Sequence, residues 1–323
     1  MELHDNFLQN ITQSNALTSA RYNFTPIQKN CVTGIISEVR RIYIDNDLKP
    51  GESVQTNLFD NLEVTFKASQ LGKLADEPKD AYKAFHDLVT RPVEVLKPDG
   101  GWELMTWLSY AKFNPKTKTY VVEVSKHLLP YVVELAREFT SYSLAVTISL
   151  KSFFSQRLYE FCCQYRAKGR FFLSIEQLRF MLKLENKASY KNYGELKRTV
   201  LSVAQNELKG LFDKGQCDLW FEYAPKDKEG KKVLSLWFII HDREAEKQQQ
   251  LDYIAMYNEL RRILQCFFKR DKKFVERVMN ALKLNPDAAR KFLDRAYKVQ
   301  EEYSAKEVAP ILRFILLQDY NLK

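Results

Sequence analysis

Hydrophobic and polar positions in the first part of the chain predict a strand, two helices and then a pair of strands. Apolar residues alternate with polar ones over 62–66, as in a half-buried strand. A short helix with the pair Gln70-Leu71 follows, and a second helix is predicted from Asp80 to Val89. Two strands between Trp107 and Val124 then enclose Asn114-Pro115-Lys116-Thr117-Lys118, whose asparagine and proline mark a turn.

The same order of elements returns in the second part of the chain. A strand and a short helix cover 172–178, a long helix is predicted from Tyr190 to Leu211, and two strands within 219–240 enclose a turn at 225–228. The Gln-Leu pairs of the two sets lie 107 residues apart, and Tyr82-Lys83 lies 108 residues before Tyr190-Lys191. A near-constant offset indicates a duplicated module. Coincidence is the alternative, because few residues are identical.

Two helices followed by a basic two-stranded ribbon form the order of a winged helix, a fold that places one helix in a DNA groove. The sequence therefore predicts an α+β protein with two tandem winged-helix domains related by duplication, at 1–143 and 144–241. An all-helical C-terminal extension of three or four helices is predicted at 242–323, either as a small domain or as a cap on the modules. Its helix starts are marked by Asp271, Asn285-Pro286 and the capping box Ser304-Ala305-Lys306-Glu307.

Further helices are predicted outside the repeated order. Thr25-Pro26 opens one, since a capping residue precedes a proline at the first helical position. The segment Lys126–Phe139 also has a helical pattern. Leu150–Lys168 has an apolar side and is followed by Gly169, which favours a helix end there, and this helix is expected to join the two modules.

The predicted helix Tyr190–Leu211 has the clearest recognition pattern. One stripe is apolar, and the opposite face carries groups that bind phosphates or read base edges. The alternative is an ordinary amphipathic surface helix. The stripe comprises Tyr193, Leu196, Val200, Val203, Ala204, Leu208 and Leu211, and the polar face comprises Lys191, Glu195, Arg198, Ser202, Gln205 and Lys209.

The lysine-rich turn of the second ribbon, which contains Gly230, lies where a wing would reach a phosphate backbone. Solubility or protection of a sheet edge is the alternative role for such lysines. The candidate DNA-binding residues of the second module are Lys187, Ser189, Lys191, Asn192, Lys197, Arg198, Ser202, Lys226, Lys228, Lys231 and Lys232. Those of the first module are Lys79, Lys83, Lys116 and Lys118.

Charge separates the two predicted modules. The whole chain of 323 residues has a formal charge of +9. Residues 1–143 contribute −2, residues 144–241 contribute +7 and residues 242–323 contribute +4. The excess on the second module is typical of a polyanion-binding surface, so this module is expected to bind DNA more strongly than the first. The alternative is the mild basicity that many cytosolic proteins share.

No motif in the sequence indicates an enzyme, a metal site or a cofactor site. The five cysteines form no CxxC pair, and the four histidines lie far apart without metal-binding spacing. The segment 210–216 mimics the start of a P-loop but lacks the lysine that would follow. We therefore expect no catalytic residue, no metal and no cofactor. Without a signal-like N-terminus or a long apolar run, we expect a cytoplasmic bacterial protein associated with the nucleoid or a plasmid, with no membrane partner.

The chain resembles the iteron-binding plasmid replication initiators of the Rep_3, or initiator replication protein, family. The resemblance covers roughly 20–241, and it is stronger in the second module than in the first. The junction between modules is similar at Leu129-Pro130-Tyr131 and at Phe139-Thr140-Ser141-Tyr142. The second-module motifs are Leu150-Lys151-Ser152, Arg157-Leu158-Tyr159-Glu160, Leu173–Arg179, Tyr190-Lys191-Asn192-Tyr193, Leu196–Leu201, Ala204 and Glu207-Leu208.

The resemblance implies two winged helices and a non-enzymatic initiator that binds repeated double-stranded origin DNA as a monomer. It also implies a homodimer through the first module that represses its own gene, and recruitment of the host initiator and replicative helicase. Trp107, Tyr110 and Val121 are candidates for the dimer contact, and a place in the core of the first module is the alternative for Trp107. The open alternatives are a winged-helix transcriptional repressor, a metal-dependent relaxase or nuclease, and a scaffold that acts through its helical tail.

Overall fold

A computed structural model describes residues 9–46, 61–71, 74–75, 77–133 and 138–318. The chain divides into two compact units, with the boundary between Asp242 and Arg243. The first unit contains both predicted winged-helix modules, and the second is the C-terminal extension. The sequence also predicts a turn region at 45–53, around Pro50-Gly51, and most of it lies outside the described residues.

The first module has the predicted order of elements. Helices α1 (Asn15–Thr18) and α2 (Pro26–Asp45) precede it, and α2 begins with a capping box between Thr25 and Gln28. The module then runs through β2 (Leu62–Lys67), α3 (Ala68–Leu71), α4 (Pro78–Thr90), β5 (Leu108–Asn114) and β6 (Thr119–Val124). Buried and exposed residues alternate along β2, which confirms the strand predicted from the pattern.

The second module repeats this order with longer elements. It comprises α7 (Phe153–Gln164), β8 (Arg170–Ser174), α8 (Ile175–Met181), α9 (Tyr193–Leu196), a π-helical turn (Lys197–Leu201), α10 (Ser202–Asp213), β9 (Leu219–Glu229) and β10 (Lys232–Asp242). Gly169, with φ of 67°, ends the 3-10 turn that follows α7. That positive φ is where glycine is favoured, as the sequence predicts.

The two modules share one strand order. In the first sheet the order is β2-β6-β5, and in the second it is β8-β10-β9. Both sheets are antiparallel, and in both the strand before the short helix pairs with the second strand of the ribbon. The repeated order of elements therefore extends to strand pairing, which supports the interpretation that the modules arose by duplication.

The repeated Gln-Leu pairs have one structural role in common. The backbone N–H of Lys67 donates to Gln70 Oε1 at 2.7 Å, and the backbone N–H of Ser174 donates to Gln177 Oε1 at 2.9 Å. Each glutamine thus satisfies an amide at the strand-to-helix junction that the helix itself leaves unpaired. Leu178 is fully buried beside its glutamine and anchors α8 to the core.

A second hairpin interrupts the first module and is absent from the sequence-based prediction. Strands β3 (Pro92–Leu96) and β4 (Trp102–Thr106) pair with each other between α4 and β5. Gly100, at φ of 86°, lies in the turn of this hairpin. From the sequence, Gly100-Gly101 is expected to turn the chain directly into the ribbon. This expectation is wrong, because the two glycines lie within the extra hairpin, before the ribbon begins.

The predicted helix Lys126–Phe139 is only partly correct. Helix α5 covers Leu129–Val133, whereas Phe139–Ser143 forms strand β7, which pairs with β1 (Asn10–Ser14). The Tyr142 hydroxyl donates to Gln13 Oε1 at 3.0 Å across this pair. Pairing with a strand more than a hundred residues earlier overrides the local helical pattern. Helix α6 (Leu144–Ser149) follows β7.

An aromatic cluster joins the segment after α1 to the first module and to α7. Tyr22 lies edge-on to Trp107 at 5.8 Å between ring centroids and to Phe153 of α7 at 5.9 Å. Trp107 is only 1% exposed. It therefore fills the core rather than a dimer surface, which is the alternative role weighed for this residue.

A buried group of charges reinforces the same junction. Lys29 of α2 and Arg157 of α7 both contact Glu160, at 2.5 and 2.7 Å, and all three side chains are fully buried. The Tyr22 hydroxyl accepts hydrogen bonds from Lys29 Nζ at 3.1 Å and from Arg157 Nη1 at 2.6 Å. Burial is the main cause that raises the pKa of Tyr22, so it remains a neutral hydroxyl. Charges this deep persist only when paired and hydrogen-bonded.

The part of the C-terminal unit that the structure describes, 243–318, has four helices and its own core. They are α11 (Arg243–Phe267), α12 (Lys272–Lys283), α13 (Pro286–Glu302) and α14 (Ala305–Gln318). Asp271 and Asn285 cap α12 and α13 as predicted, each accepting a backbone N–H at 3.1 Å. Phe274, Phe292 and other apolar residues form the core, but Phe314 is 64% exposed and does not belong to it. No described helix is both long and apolar enough to cross a membrane.

Candidate DNA-binding surface

The predicted recognition helix of the second module begins at Tyr193 and ends at Asp213, slightly later than the pattern indicates. Asn192 caps it, since its side-chain oxygen accepts the N–H of Gly194 at 2.7 Å. The buried side chains that hold the helix against the sheet and α7 are Leu196, Val200, Leu201, Ala204 and Leu208. Most of this set is the predicted apolar stripe.

A π-helical turn at Lys197–Leu201 changes which residues face outward. Each π turn adds about one residue to a helical turn, so later positions rotate relative to a regular helix. Ser202 is therefore half-buried and hydrogen-bonds the Tyr223 hydroxyl of β9 at 3.0 Å. The prediction that Ser202 lies on the solvent face is wrong, because a period of 3.6 residues fails across the π turn.

Arg198 lies on the exposed face of this helix. Its side chain is 73% exposed and pairs with Glu195 at 2.8 Å. Its Nε and Nη2 atoms both donate to Glu195, and Nη1 has no acceptor among the described residues. Glu195 thus orients the guanidinium while leaving donors available to a ligand.

The segment before the recognition helix supplies further exposed groups. Residues 188–191 form a 3-10 turn that is held in place because Arg179 Nη2 donates to the Lys191 carbonyl at 2.8 Å. Sequence reasoning missed Lys183, an exposed residue whose φ of 55° marks the turn after α8. The predicted candidates that the structure places, exposed, on this segment and the first half of the recognition helix are Lys187, Ser189, Lys191, Asn192, Lys197 and Arg198.

The wing of the second module is longer than predicted. Strands β9 and β10 each have 11 residues, and the chain reverses at Gly230 and Lys231, so only the glycine end of the predicted lysine-rich turn forms the reversal. Gly230 has φ of 58°, which suits glycine in a tight turn. The proline and charged residues at 225–228 therefore continue an edge strand, a place where such residues are tolerated.

Lys226 is not at the wing tip. Its ammonium lies 4.7 Å from the centroid of the Phe172 ring and pairs with Asp227 at 2.7 Å. Hydrogen bonds from Lys226 and Ser235 hold the pKa of Asp227 below its usual range. These contacts hold Lys226 on the outer face of the sheet, whereas Lys228, Lys231 and Lys232 are exposed near the tip.

Lys209, on the predicted polar face of the recognition helix, has neighbours of its own. Its ammonium lies 4.1 Å from the centroid of the Trp220 ring and 3.6 Å from Asp213. These contacts fix Lys209 at the far end of the helix. The exposed cations are therefore concentrated at the start of the helix and at the wing tip.

The first-module candidates lie on the corresponding elements. Lys79 and Lys83 are exposed on α4, and Lys79 pairs with Glu77 at 2.7 Å. Lys116 and Lys118 are exposed in the turn between β5 and β6, where Lys118 has φ of 53°. The first module thus has four candidate cations, fewer than the second module, in agreement with the charge calculated from the sequence.

Comparison with known families assigns both modules. Residues 10–163 match the model of the first winged-helix domain of initiator replication proteins, and residues 174–240 match the model of their second winged-helix domain. The chain belongs to the initiator replication protein family. The first match extends through α7, so in this initiator-family protein the helix that joins the two modules falls within the first winged-helix match.

One relative is an Escherichia coli protein described as an uncharacterized 27.6 kDa protein. It is 28% identical to the initiator-family chain over 134 residues. The aligned region covers 40% of the chain and 55% of that relative. The likeness adds a bacterial relative of part of the chain, and its description names no activity.

Metal-binding chemistry has no candidate cluster among the described residues, where no group of three histidine, cysteine or acidic side chains is arranged to hold an ion. The described thiols Cys31, Cys162, Cys163, Cys217 and Cys266 are free. Burial raises the pKa of Cys31 and of Cys217 to about 12, so both remain protonated at neutral pH. The groups that this initiator-family surface presents are exposed cations and hydrogen-bond donors.

Proposed function

We propose that the protein is a plasmid replication initiator that binds double-stranded direct repeats, or iterons, at a replication origin. The observation that supports this most strongly is the second winged helix. Its exposed helix start with Arg198 and its lysine-bearing wing tip combine donors that read bases with point charges that bind phosphates. Membership in the initiator replication protein family supports the role in replication.

In this proposal the helix Tyr193–Asp213 enters a major groove. Arg198 contacts a base edge, and a bidentate arginine–guanine contact is worth about 1–3 kcal/mol of discrimination. The lysines at 228, 231 and 232 contact the backbone and position the protein without reading sequence. The Glu195 carboxylate keeps the Arg198 side chain in one orientation, which lowers the entropy lost on binding.

The first module is proposed to form the homodimer. Among the described residues β5 pairs only with β6, so its outer edge has unpaired backbone groups. Tyr110 and Phe113 on this strand are 44% and 46% exposed, whereas Val121 of β6 is less exposed than either. A second copy could pair with this edge about a twofold axis and cover both rings.

The monomer is proposed to open the origin and recruit the host initiator and replicative helicase, and the dimer to repress the gene of the protein itself. No catalytic residue is assigned in this scheme, and the protein acts by binding. A winged-helix repressor without a role in replication is the alternative, favoured by the same DNA-binding surface. Tandem direct repeats in DNA beside the gene would separate the initiator from the repressor.

The test is binding of the full chain to DNA flanking its gene, followed by plasmid maintenance. Arg198→Ala should lower affinity for the preferred sequence by about 1–3 kcal/mol and relax preference at one base pair. Arg41→Ala is the control, because Arg41 is an exposed arginine of α2 that also pairs with a glutamate three residues earlier, at 2.6 Å. That glutamate, Glu38, is buried, so thermal unfolding checks that the control variant keeps its fold.

Loss of both repeat binding and plasmid maintenance in the Arg198 variant, with neither lost in the Arg41 variant, is the expected outcome. Unchanged affinity and unchanged base preference for Arg198→Ala would contradict its assigned role. Normal DNA binding beside a gene that no plasmid needs for replication would favour the repressor.

A further inference from the structure

The positive charge of the C-terminal unit is concentrated in one stretch. Residues 261–283 contain eight lysine and arginine residues but only two acidic ones. The preceding part of the unit, residues 243–260, contains two basic and four acidic residues. Residues 284–318 contain six basic and five acidic residues. The net charge of the unit therefore comes from the end of α11, the turn after it and α12.

The cations of α12 lie on its solvent face. Its core side is formed by Phe274, Val275, Val278, Met279 and Leu282, all buried. The exposed positions of α12 are Lys272, Lys273, Glu276, Arg277, Asn280 and Lys283. Four of these six are basic and one is acidic, so the exposed arc of the helix is a nearly uniform strip of positive charge.

Most of these cations have no ion-pair partner. Lys269, Lys272, Lys273 and Lys283 have no carboxylate within 4 Å among the described residues. Two other arginines of the unit differ, since Arg262 pairs with Glu259 and Arg313 pairs with Asp271. A set of unpaired, exposed lysines on α12 and on the turn before it is available to bind an anion from outside the unit.

The shape of this region also favours an extended partner. The end of α11 and the start of α12 line an open groove of about 800 Å³, and Arg262, Lys269 and Lys272 are among its lining residues. From Lys272 to Lys283 the helix rises about 16 Å, at 1.5 Å per residue. That length exceeds the roughly 12 Å width of the DNA major groove, so the strip could reach several phosphates.

We propose that this surface of the C-terminal unit, formed by Lys269, Lys272, Lys273, Arg277 and Lys283, is a second DNA-binding site that contacts the phosphate backbone without reading sequence. Lysines serve as point charges for phosphates. An acidic protein is a less suitable partner, because protein interfaces depend on buried aromatic and apolar anchors and the exposed arc of α12 has none.

The inference goes beyond the proposed reading of origin repeats by the second winged helix. A second weak site on the same chain raises the effective concentration of DNA at the first, so overall affinity increases without new base contacts. The expected signature is a steeper dependence of binding on salt, because each phosphate contact contributes about −0.9 to the slope of log K against log salt.

The experiment measures binding of the full chain to a mixed-sequence duplex of about three helical turns, by anisotropy at several salt concentrations. The triple variant Lys269→Ala, Lys272→Ala, Lys273→Ala removes three exposed charges of this surface. The matched control, Lys291→Ala, Lys298→Ala, Lys306→Ala, removes three exposed lysines from α13 and α14 of the same unit. Circular dichroism and thermal unfolding check that both variants fold.

The first triple should flatten the salt slope by up to about 2.7, whereas the control should leave it near that of the unchanged protein. Equal slopes for the two triples would overturn the proposal, as would a loss of plasmid maintenance in the first triple with DNA binding intact, which would indicate a protein partner. Base preference at the repeats should stay unchanged in both variants. Base preference therefore tests the proposed role of the winged helix, whereas the salt slope tests the proposed C-terminal surface, so the two proposals can fail independently.

Discussion

The two winged-helix modules have the same strand order but opposite surface charge. Their sheets are β2-β6-β5 and β8-β10-β9, and a glutamine caps the short helix of each. Residues 1–143 nevertheless carry a charge of −2 and residues 144–241 a charge of +7. Because the core positions and caps specify the fold, the surfaces can diverge without changing it.

The second module, which carries the positive charge, also has the longer second helix and the longer ribbon strands. The second helix of the first module, α4, has 13 residues, whereas the equivalent helix of the second runs from Tyr193 to Asp213. The ribbon strands have seven and six residues in the first module and 11 each in the second. From the longer reach and the larger number of cations we expect the second module to bind DNA more strongly. From the exposed aromatic edge we expect the first module to bind a second copy, as proposed above.

The largest expected effect concerns the core that joins the modules. Glu160→Ala would leave Lys29 and Arg157 buried without their carboxylate, which should destabilise the protein by about 3–5 kcal/mol. Glu195→Ala is the matched control, because Glu195 also pairs with an arginine three residues away but at the surface. Its cost should be about 1 kcal/mol or less. Urea unfolding followed by circular dichroism measures both.

A small effect of Glu160→Ala, equal to that of the control, would contradict the view that α7 and α2 share one buried charged core. If one module unfolded in Glu160→Ala while the other stayed folded, the two modules would be separately folding domains. We expect instead one cooperative transition for residues 9–242, because Tyr22, Phe153 and Trp107 pack together across the junction.

A smaller effect is expected at the exposed edge of the first module. Tyr110→Lys places a charge on β5, a change that discourages pairing between sheet edges, and should weaken the dimer at least about tenfold. Phe172→Lys is the control, because Phe172 is 53% exposed on β8, an edge strand of the second module. Sedimentation velocity over a range of concentrations measures dimerisation. If both variants weakened the dimer equally, or if the unchanged protein were a monomer at every concentration, the proposal of a dimer through the first module would be contradicted.

Much of the fold follows from local sequence patterns. Alternation predicts β2, the Thr25-Pro26 pair predicts the start of α2, and the caps at Asp271 and Asn285 predict α12 and α13. These features depend on neighbouring residues only, so a sequence reveals them without knowledge of distant contacts.

The features that were missed depend on contacts across the fold. Phe139–Ser143 is a strand because it pairs with β1, and Lys29 is buried because Glu160 and Tyr22 meet it from other segments. Ser202 turns inward because a π turn precedes it, and helical periodicity cannot predict that insertion. Of the candidate site, exposed lysines were identified by type and position, whereas the contacts of Lys226 with Phe172 and Asp227 required the structure.

The comparison between the modules is tested most directly by matched removal of lysines from the two wings of the full chain. The separate modules are unsuited to this test, because cutting between them would expose the charged core around Glu160.

One variant carries Lys228→Ala, Lys231→Ala and Lys232→Ala, and the other Lys112→Ala, Lys116→Ala and Lys118→Ala. Binding to a duplex is measured at several salt concentrations. The account predicts that the second-module variant flattens the salt slope by up to about 2.7 and weakens binding to all sequences alike, while the first-module variant changes little. An equal or larger change from the first-module variant would contradict it.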